Sequence, residues 1–128
     1  MCEKRFQRLS SRCKITHLKG ITMITRNEDN IRDLIDGNTH VMVQFGASWC
    51  MPCKQLKPKV EKISLESPDV VFAYVDVEES NRFSVESDVQ SVPTVIGYYN
   101  SDEVGRVIGN NENAVKELLE KLRKRANS

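Results

Sequence analysis

Hydrophobic and polar positions along the chain follow two spacings, one typical of β-strands and one typical of helices. Short apolar or β-branched runs predict strands at 21–25, 41–45, 70–77, 91–99 and 103–109. The run at 41–45, VMVQF, is apolar on both alternating faces except at Gln44. This pattern predicts a central strand that is covered on both sides.

Four helices are predicted between and after these strands. The first can be capped by Asn27 or Asn30 and ends at Gly37. The second begins at Cys50, and residues 80–90 form a short third helix. Apolar residues mark the faces of the first, second and C-terminal helices: Ile31, Leu34 and Ile35; Leu56, Val60 and Ile63; Val115, Leu118, Leu119 and Leu122.

The order of the predicted elements is βαβαβαββα, which indicates an α/β fold with a central mixed β-sheet flanked by helices. A helix of crossover length separates the strands at 41–45 and 70–77, so these two strands are expected to be parallel. Asn100, Ser101 and Asp102 predict a turn that makes the last two strands antiparallel. No internal repeat or linker interrupts the pattern, which indicates one domain at 21–128.

Composition changes the interpretation at the N-terminus. The net charge of the 128 residues is only +1, yet residues 1–20 contain six Lys or Arg and one Glu. We expect this segment to be a flexible basic extension in which Cys2 and Cys13 have no specific role. It weakly resembles an organellar transit peptide, so a mitochondrial location is the alternative to a cytoplasmic one.

Several classes of protein are disfavoured by the sequence. No apolar run approaches the length of a membrane span, and the first residues lack the hydrophobic region of a secretory signal. Basic and aromatic residues are not interleaved as in nucleic-acid-binding segments. Four unevenly spaced cysteines do not form the framework of a small secreted domain, which favours a reducing compartment.

The stretch WCMPCK, residues 49–54, contains the candidate chemistry. Its two cysteines could be a redox pair, half of a zinc site or packing residues. Structural zinc requires four ligands, and the predicted domain has neither a second CxxC nor a spaced histidine pair. A redox pair is favoured, because a thiolate at Cys50 would lie at the first turn of a helix, where free N–H groups and the helix dipole stabilise it.

With Trp49 and Pro52 around the cysteines, Pro58 in the same helix and SVPT at 91–94, residues 21 to about 126 resemble the thioredoxin family. The resemblance implies a thioredoxin fold and a protein-disulfide reductase. It makes Cys50 the attacking cysteine and Cys53 the resolving cysteine. Trp49, Met51, Pro52 and Gln44 would then shape the site.

The resemblance also implies how substrates and electrons reach the pair. Pro93 is expected to have a cis peptide bond with Val92, which leaves the Val92 backbone free to pair with an extended substrate. Val92, Pro93 and Gly109 would be the substrate-binding residues. The partners would be protein disulfides and a thioredoxin reductase as electron donor. No bound cofactor or metal is needed for thiol–disulfide exchange, and we expect a monomer.

Four residues depart from the family pattern. Gln44 stands where a buried Asp is typical, and an amide cannot accept the proton of Cys53, so slow turnover is predicted unless water replaces the base. Tyr74 stands where many bacterial members have a Lys that accompanies this Asp. Met51 replaces the usual Gly between the cysteines, and Gly46 replaces a common aromatic residue.

These departures leave two alternatives to a reductase. The protein could be a disulfide oxidant or isomerase, because the residues between the cysteines affect the thiol pKa and the redox potential. Alternatively it could be a binding module whose surface acts without redox turnover. Two cysteines together with Pro93 argue against a module, since a scaffold requires none of them.

Overall fold

The computed structural model describes residues 23–26 and 28–126. This part of the chain has the predicted order of elements: β1 (Met23–Arg26), α1 (Glu28–Asp36), β2 (His40–Gly46), α2 (Met51–Leu65), β3 (Val71–Asp76), α3 (Asn81–Glu86), β4 (Thr94–Tyr99), β5 (Asp102–Ile108) and α4 (Glu112–Ala126). The predicted basic extension at 1–20, with Cys2 and Cys13, lies outside the described residues.

The five strands form one mixed sheet in the order β1-β3-β2-β4-β5. β3 is parallel to both β1 and β2, whereas β4 is antiparallel to β2 and β5 is antiparallel to β4. The predicted crossover and hairpin are therefore confirmed. Asn100 and Ser101 form the hairpin turn with φ values of 50° and 74°, so the turn has two residues and Asp102 already belongs to β5.

Helices cover both faces of the sheet, as the apolar pattern of β2 predicts. Met42 packs with residues of α2 and α4 on one face, and Val41, Val43 and Phe45 pack with residues of α1 and α3 on the other. Because side chains alternate along a strand, Gln44 lies on the same face as Met42, under α2 and α4. Gln44 is 1% exposed.

Several predicted boundaries differ from the structure. The short third helix, predicted at 80–90, spans only Asn81–Glu86. The strand predicted at 91–99 begins only at Thr94, since Pro93 has no N–H to donate to a β-ladder. The second helix begins at Met51, and Cys50 is its N-cap. The first helix begins at Glu28, so Asn30 lies inside it and is not its cap, while Asn27 lies outside the described residues.

Candidate active site

The two cysteines lie where β2 passes into α2, at the edge of the sheet that contains the end of β2. Cys50 has extended backbone angles (φ −90°, ψ 107°) and caps α2, and its Sγ accepts a hydrogen bond from the Cys53 N–H at 3.2 Å. The two residues are joined by a disulfide, with their Cα atoms 5.3 Å apart. The first turn of α2 contains no acidic residue. A negative charge at Cys50 would therefore meet free N–H groups and the positive end of the helix dipole.

The cysteines are buried beside two exposed neighbours. Cys50 is 4% exposed and Cys53 1%, which confirms that the second cysteine is the more buried. Trp49 and Met51, in contrast, are 64% and 60% exposed. Exposed apolar side chains thus flank Cys50 in the chain, whereas the disulfide itself is nearly covered.

Trp49 is held in place by a carboxylate that the sequence analysis did not identify. Its Nε1–H donates to Glu78 Oε2 at 3.0 Å. The backbone N–H of Glu78 in turn donates to Asp76 Oδ1 at 2.8 Å, which ties this loop to the end of β3. The residues are 29 positions apart, and only the spatial proximity of the ends of β2 and β3 connects them.

Val92, Pro93 and Gly109 come together beside the cysteine pair. Val92 packs against the cluster of Ala47, Cys50 and Cys53, and the Val92–Pro93 peptide bond is cis, as the resemblance implies. The Gly109 N–H donates to the Pro93 carbonyl at 2.9 Å. Gly109 has φ of +102°, a conformation that glycine adopts without strain.

The Gln44 side chain lies within the core, on the buried side of the two cysteines. Its Nε2 donates to the Cys53 carbonyl at 3.4 Å, a long hydrogen bond. Its Oε1 is buried and has no hydrogen-bond partner among the described residues. The side chain therefore presents an acceptor beneath the second cysteine, and an amide cannot take up a proton there.

Two departures from the family pattern are in contact with each other. In the register of β2 and β3, Gly46 pairs with Asp76 and Gln44 pairs with Tyr74, so the Tyr74 side chain lies on the Gln44 face. The ring leans over Gly46: a Cβ at position 46 would clash with the Tyr74 hydroxyl and lie 3.0 Å from its Cε1 and Cζ. The Tyr74 ring of β3 thus occupies the space that a side chain at position 46 on β2 would need.

The other side of the Tyr74 ring faces α2. Lys57 Nζ lies 4.3 Å from the ring centroid, a cation–π contact. Burial raises the pKa of the Tyr74 hydroxyl, and the negative charge of Asp76 adds to this rise. The hydroxyl is therefore neutral near pH 7.

Gly46→Ala is expected to destabilise the protein by about 1–3 kcal/mol, because the new methyl group overlaps Tyr74. The same substitution in a Tyr74→Leu background should cost at least about 1 kcal/mol less, since the ring is then absent. Urea unfolding of the four proteins measures this coupling. An equal cost in both backgrounds would show that Tyr74 is not what constrains position 46.

The described residues contain no group of three or more His, Cys, Asp or Glu that could hold a metal ion. Their helices also include none that is long and apolar enough to cross a membrane.

Comparison with known proteins agrees with this geometry. The family model described as Thioredoxin matches residues 22–123. Thioredoxin H5 of Oryza sativa subsp. japonica is 33% identical over 105 residues, which cover 80% of this chain and 78% of the relative. Thioredoxin-3, mitochondrial, of Saccharomyces cerevisiae is 34% identical over 118 residues, which cover 92% of this chain and 86% of the relative.

Solved structures show the same similarity. The crystal structure of thioredoxin from Trypanosoma brucei brucei superposes with a TM-score of 0.78 at 26% identity, and the alignment covers 90% of this chain and 100% of that one.

Proposed function

This chain belongs to the thioredoxin family and is a thiol–disulfide oxidoreductase that reduces protein disulfides, and from that premise we propose which of its residues perform the reaction. Cys50 is the attacking nucleophile and Cys53 the resolving thiol. The observation that carries this assignment is the position of Cys50 as N-cap of α2, with its Sγ accepting the N–H of a more deeply buried Cys53.

The reaction proceeds in two exchanges. The Cys50 thiolate attacks one sulfur of the substrate disulfide, a mixed disulfide forms, and the second substrate sulfur leaves as a thiolate. Cys53, deprotonated, then attacks Cys50 Sγ and releases the first substrate sulfur. Two electrons pass to the substrate, whose two sulfurs are protonated, and the protein is left with its Cys50–Cys53 disulfide. The helix N-terminus favours the first step because it stabilises the attacking thiolate.

Substrate recognition is assigned to the rim of the pair. The backbone of Val92, which packs against the cysteines, is proposed to pair with an extended substrate segment, as a strand added to a sheet does. Pro93 and Gly109 hold this segment of the rim through their backbone hydrogen bond. Trp49 and Met51 supply exposed apolar contacts, and Pro52 follows Met51 in the first turn of α2.

The electron donor, the assembly and the compartment are also proposals. A thioredoxin reductase would reduce the Cys50–Cys53 disulfide, and the domain at 21–128 would act as a monomer. The basic segment at 1–20 and the mitochondrial relative support a mitochondrial location as the alternative to a cytoplasmic one.

The redox equilibrium of the cysteine pair tests this function. The protein is equilibrated in graded dithiol–disulfide buffers and its free thiols are trapped for mass analysis, with a Cys2→Ser, Cys13→Ser variant as the control for the other cysteines. A potential below the glutathione poise of about −220 to −320 mV is expected for a reductase. A clearly higher potential would indicate an oxidant or isomerase, and no reversible pair would leave only a binding module.

A further inference from the structure

We propose that Met51 is a site of reversible oxidation by hydroperoxides, and that its sulfoxide form weakens the docking of protein substrates beside Cys50. The inference rests on the proposed function, because it concerns the apolar rim on which those substrates would dock. It assigns Met51 a regulatory role in addition to its contact role.

The exposure of Met51 makes its sulfur available to oxidants in solution. Met51 is the first residue of α2 and its side chain is 60% exposed. Met42, in contrast, is 1% exposed within the core beneath α2 and α4. The cysteine sulfurs are also covered, since Cys50 is 4% exposed in the disulfide form. In this form Met51 therefore carries the accessible sulfur of the site.

Met51 belongs to an apolar patch at one edge of the sheet. Five large hydrophobic side chains are exposed among the described residues, and three of them, Trp49, Met51 and Ile108, are at or next to this edge. β2 ends here, β4 begins here beside Val92 and Pro93, and β5 ends here at Ile108. We call Trp49, Met51, Val92 and Ile108 the docking rim.

The position of the docking rim indicates its occupant. Within the rim, Trp49 and Met51 flank Cys50 in the chain and Val92 packs against the cysteine cluster, so the chain segment bearing a substrate disulfide has to cross the rim to reach Cys50. A segment in extended conformation would place alternate side chains on the apolar residues while its backbone pairs with Val92. The occupant is thus the extended segment that flanks the attacked disulfide.

Oxidation changes the chemistry of this contact. The thioether sulfur of Met51 takes one oxygen atom from a hydroperoxide, whose O–O bond breaks to give water or an alcohol. The sulfur loses two electrons and the peroxide gains them. The resulting sulfoxide is polar and chiral, so an apolar substrate side chain would have to desolvate its S=O oxygen without a hydrogen bond in return.

The test compares protein substrates with a small disulfide. The full-length protein in its disulfide form is treated with hydrogen peroxide, the peroxide is removed with catalase, and peptide mass mapping measures oxidation at each methionine. Reduction of insulin is then followed with dithiothreitol as electron donor. We expect kcat/KM for insulin to fall about fivefold or more, mainly through KM.

A small disulfide distinguishes lost docking from altered cysteine chemistry. Oxidised glutathione does not extend across the docking rim, so its rate of reaction with the reduced protein should change less than about twofold after oxidation of Met51. An equal loss with both substrates would overturn the proposal, because it would indicate damage to the cysteine pair or to the fold.

Two variants assign the effect to position 51. Met51→Leu keeps an apolar side chain of similar volume and retains Met1, Met23 and Met42, so the ratio of its treated to untreated activity should stay near one. Met51→Gln, which introduces an uncharged polar side chain, should have a higher KM for insulin than Met51→Leu without any treatment. Methionine sulfoxide reductases should restore the treated parent protein.

Two further results would overturn the proposal. One is an equal loss of activity in treated Met51→Leu and the treated parent. The other is unchanged insulin reduction when mass mapping shows complete oxidation of Met51. If the untreated parent does not reduce insulin at all, the proposed function fails and this inference fails with it, whereas the first two results leave the reductase function intact.

Discussion

Replacing Cys53 with serine is expected to leave the protein covalently joined to its substrate, with steady-state turnover lowered at least about a thousandfold. Cys50 remains at the N-terminus of α2, where its thiolate is stabilised and can still attack. The hydroxyl of the new serine cannot displace a sulfur from the mixed disulfide. The intermediate therefore accumulates instead of resolving.

Electrophoresis without reductant, followed by mass analysis of the adduct, measures this outcome. Cys50→Ser should abolish turnover to the same extent but form no adduct, because the nucleophile itself is absent. The matched control is Cys2→Ser, Cys13→Ser, which should keep both turnover and the ability to form the adduct when Cys53 is also replaced. An adduct that persists in Cys50→Ser would contradict the assignment of the attacking cysteine.

The order of elements was predictable from the sequence because burial leaves a periodic pattern. β2 is recognisable as a central strand since both of its alternating faces are apolar, and the structure places it between β3 and β4. The ends of elements were less predictable. Whether β4, which ends at Tyr99, starts at residue 91 or at Thr94 depends on hydrogen bonds to neighbouring strands. The apolar pattern does not decide this, because apolar residues occur on both sides of Pro93.

The cysteine motif was predictable because its residues are close in sequence. The place of Pro93 beside the two cysteines was predictable through the resemblance to the family. The contacts that hold the site residues in place were not predictable. The packing of Tyr74 on Gly46 joins β3 to β2, and the hydrogen bond from Trp49 to Glu78 joins the segments that follow these two strands. Each depends on the exact register of β2 and β3. Hydrophobic periodicity identifies the face of a strand but not which residue on the next strand it meets.

Gln44→Asp is expected to accelerate the resolution of the mixed disulfide by about tenfold or more near neutral pH. Gln44 contacts the Cys53 backbone from within the core, and its buried Oε1 has no partner among the described residues. A carboxylate at this position could accept the Cys53 proton as that thiol attacks, which an amide cannot do. Rapid acid quench of a single turnover, with mass analysis of the mixed disulfide, measures this step.

Gln44→Leu is the matched control, since it removes the polar group without supplying a base. It should not accelerate resolution. If Gln44→Asp resolves the mixed disulfide no faster than the parent, proton transfer to position 44 does not limit the reaction, and water already performs this role.

The same substitution should lower stability in a pH-dependent way, by about 1–3 kcal/mol near pH 7. Position 44 is 1% exposed, and burial raises the pKa of a carboxyl group in the folded protein above its unfolded value of about 3.9. Below the unfolded pKa the group is protonated in both states and this penalty is absent. The penalty grows as the pH rises from the unfolded pKa through the folded pKa, because in this range the unfolded state holds fewer protons than the folded state.

Urea unfolding at several pH values should therefore show the stability of Gln44→Asp approaching that of the parent in acid. A pH-independent difference would mean that the carboxyl group is solvated. Gln44 in the native chain thus avoids a buried charge beneath the cysteines. The protein then lacks a carboxylate base for the second thiol–disulfide exchange, in which Cys53 attacks the mixed disulfide.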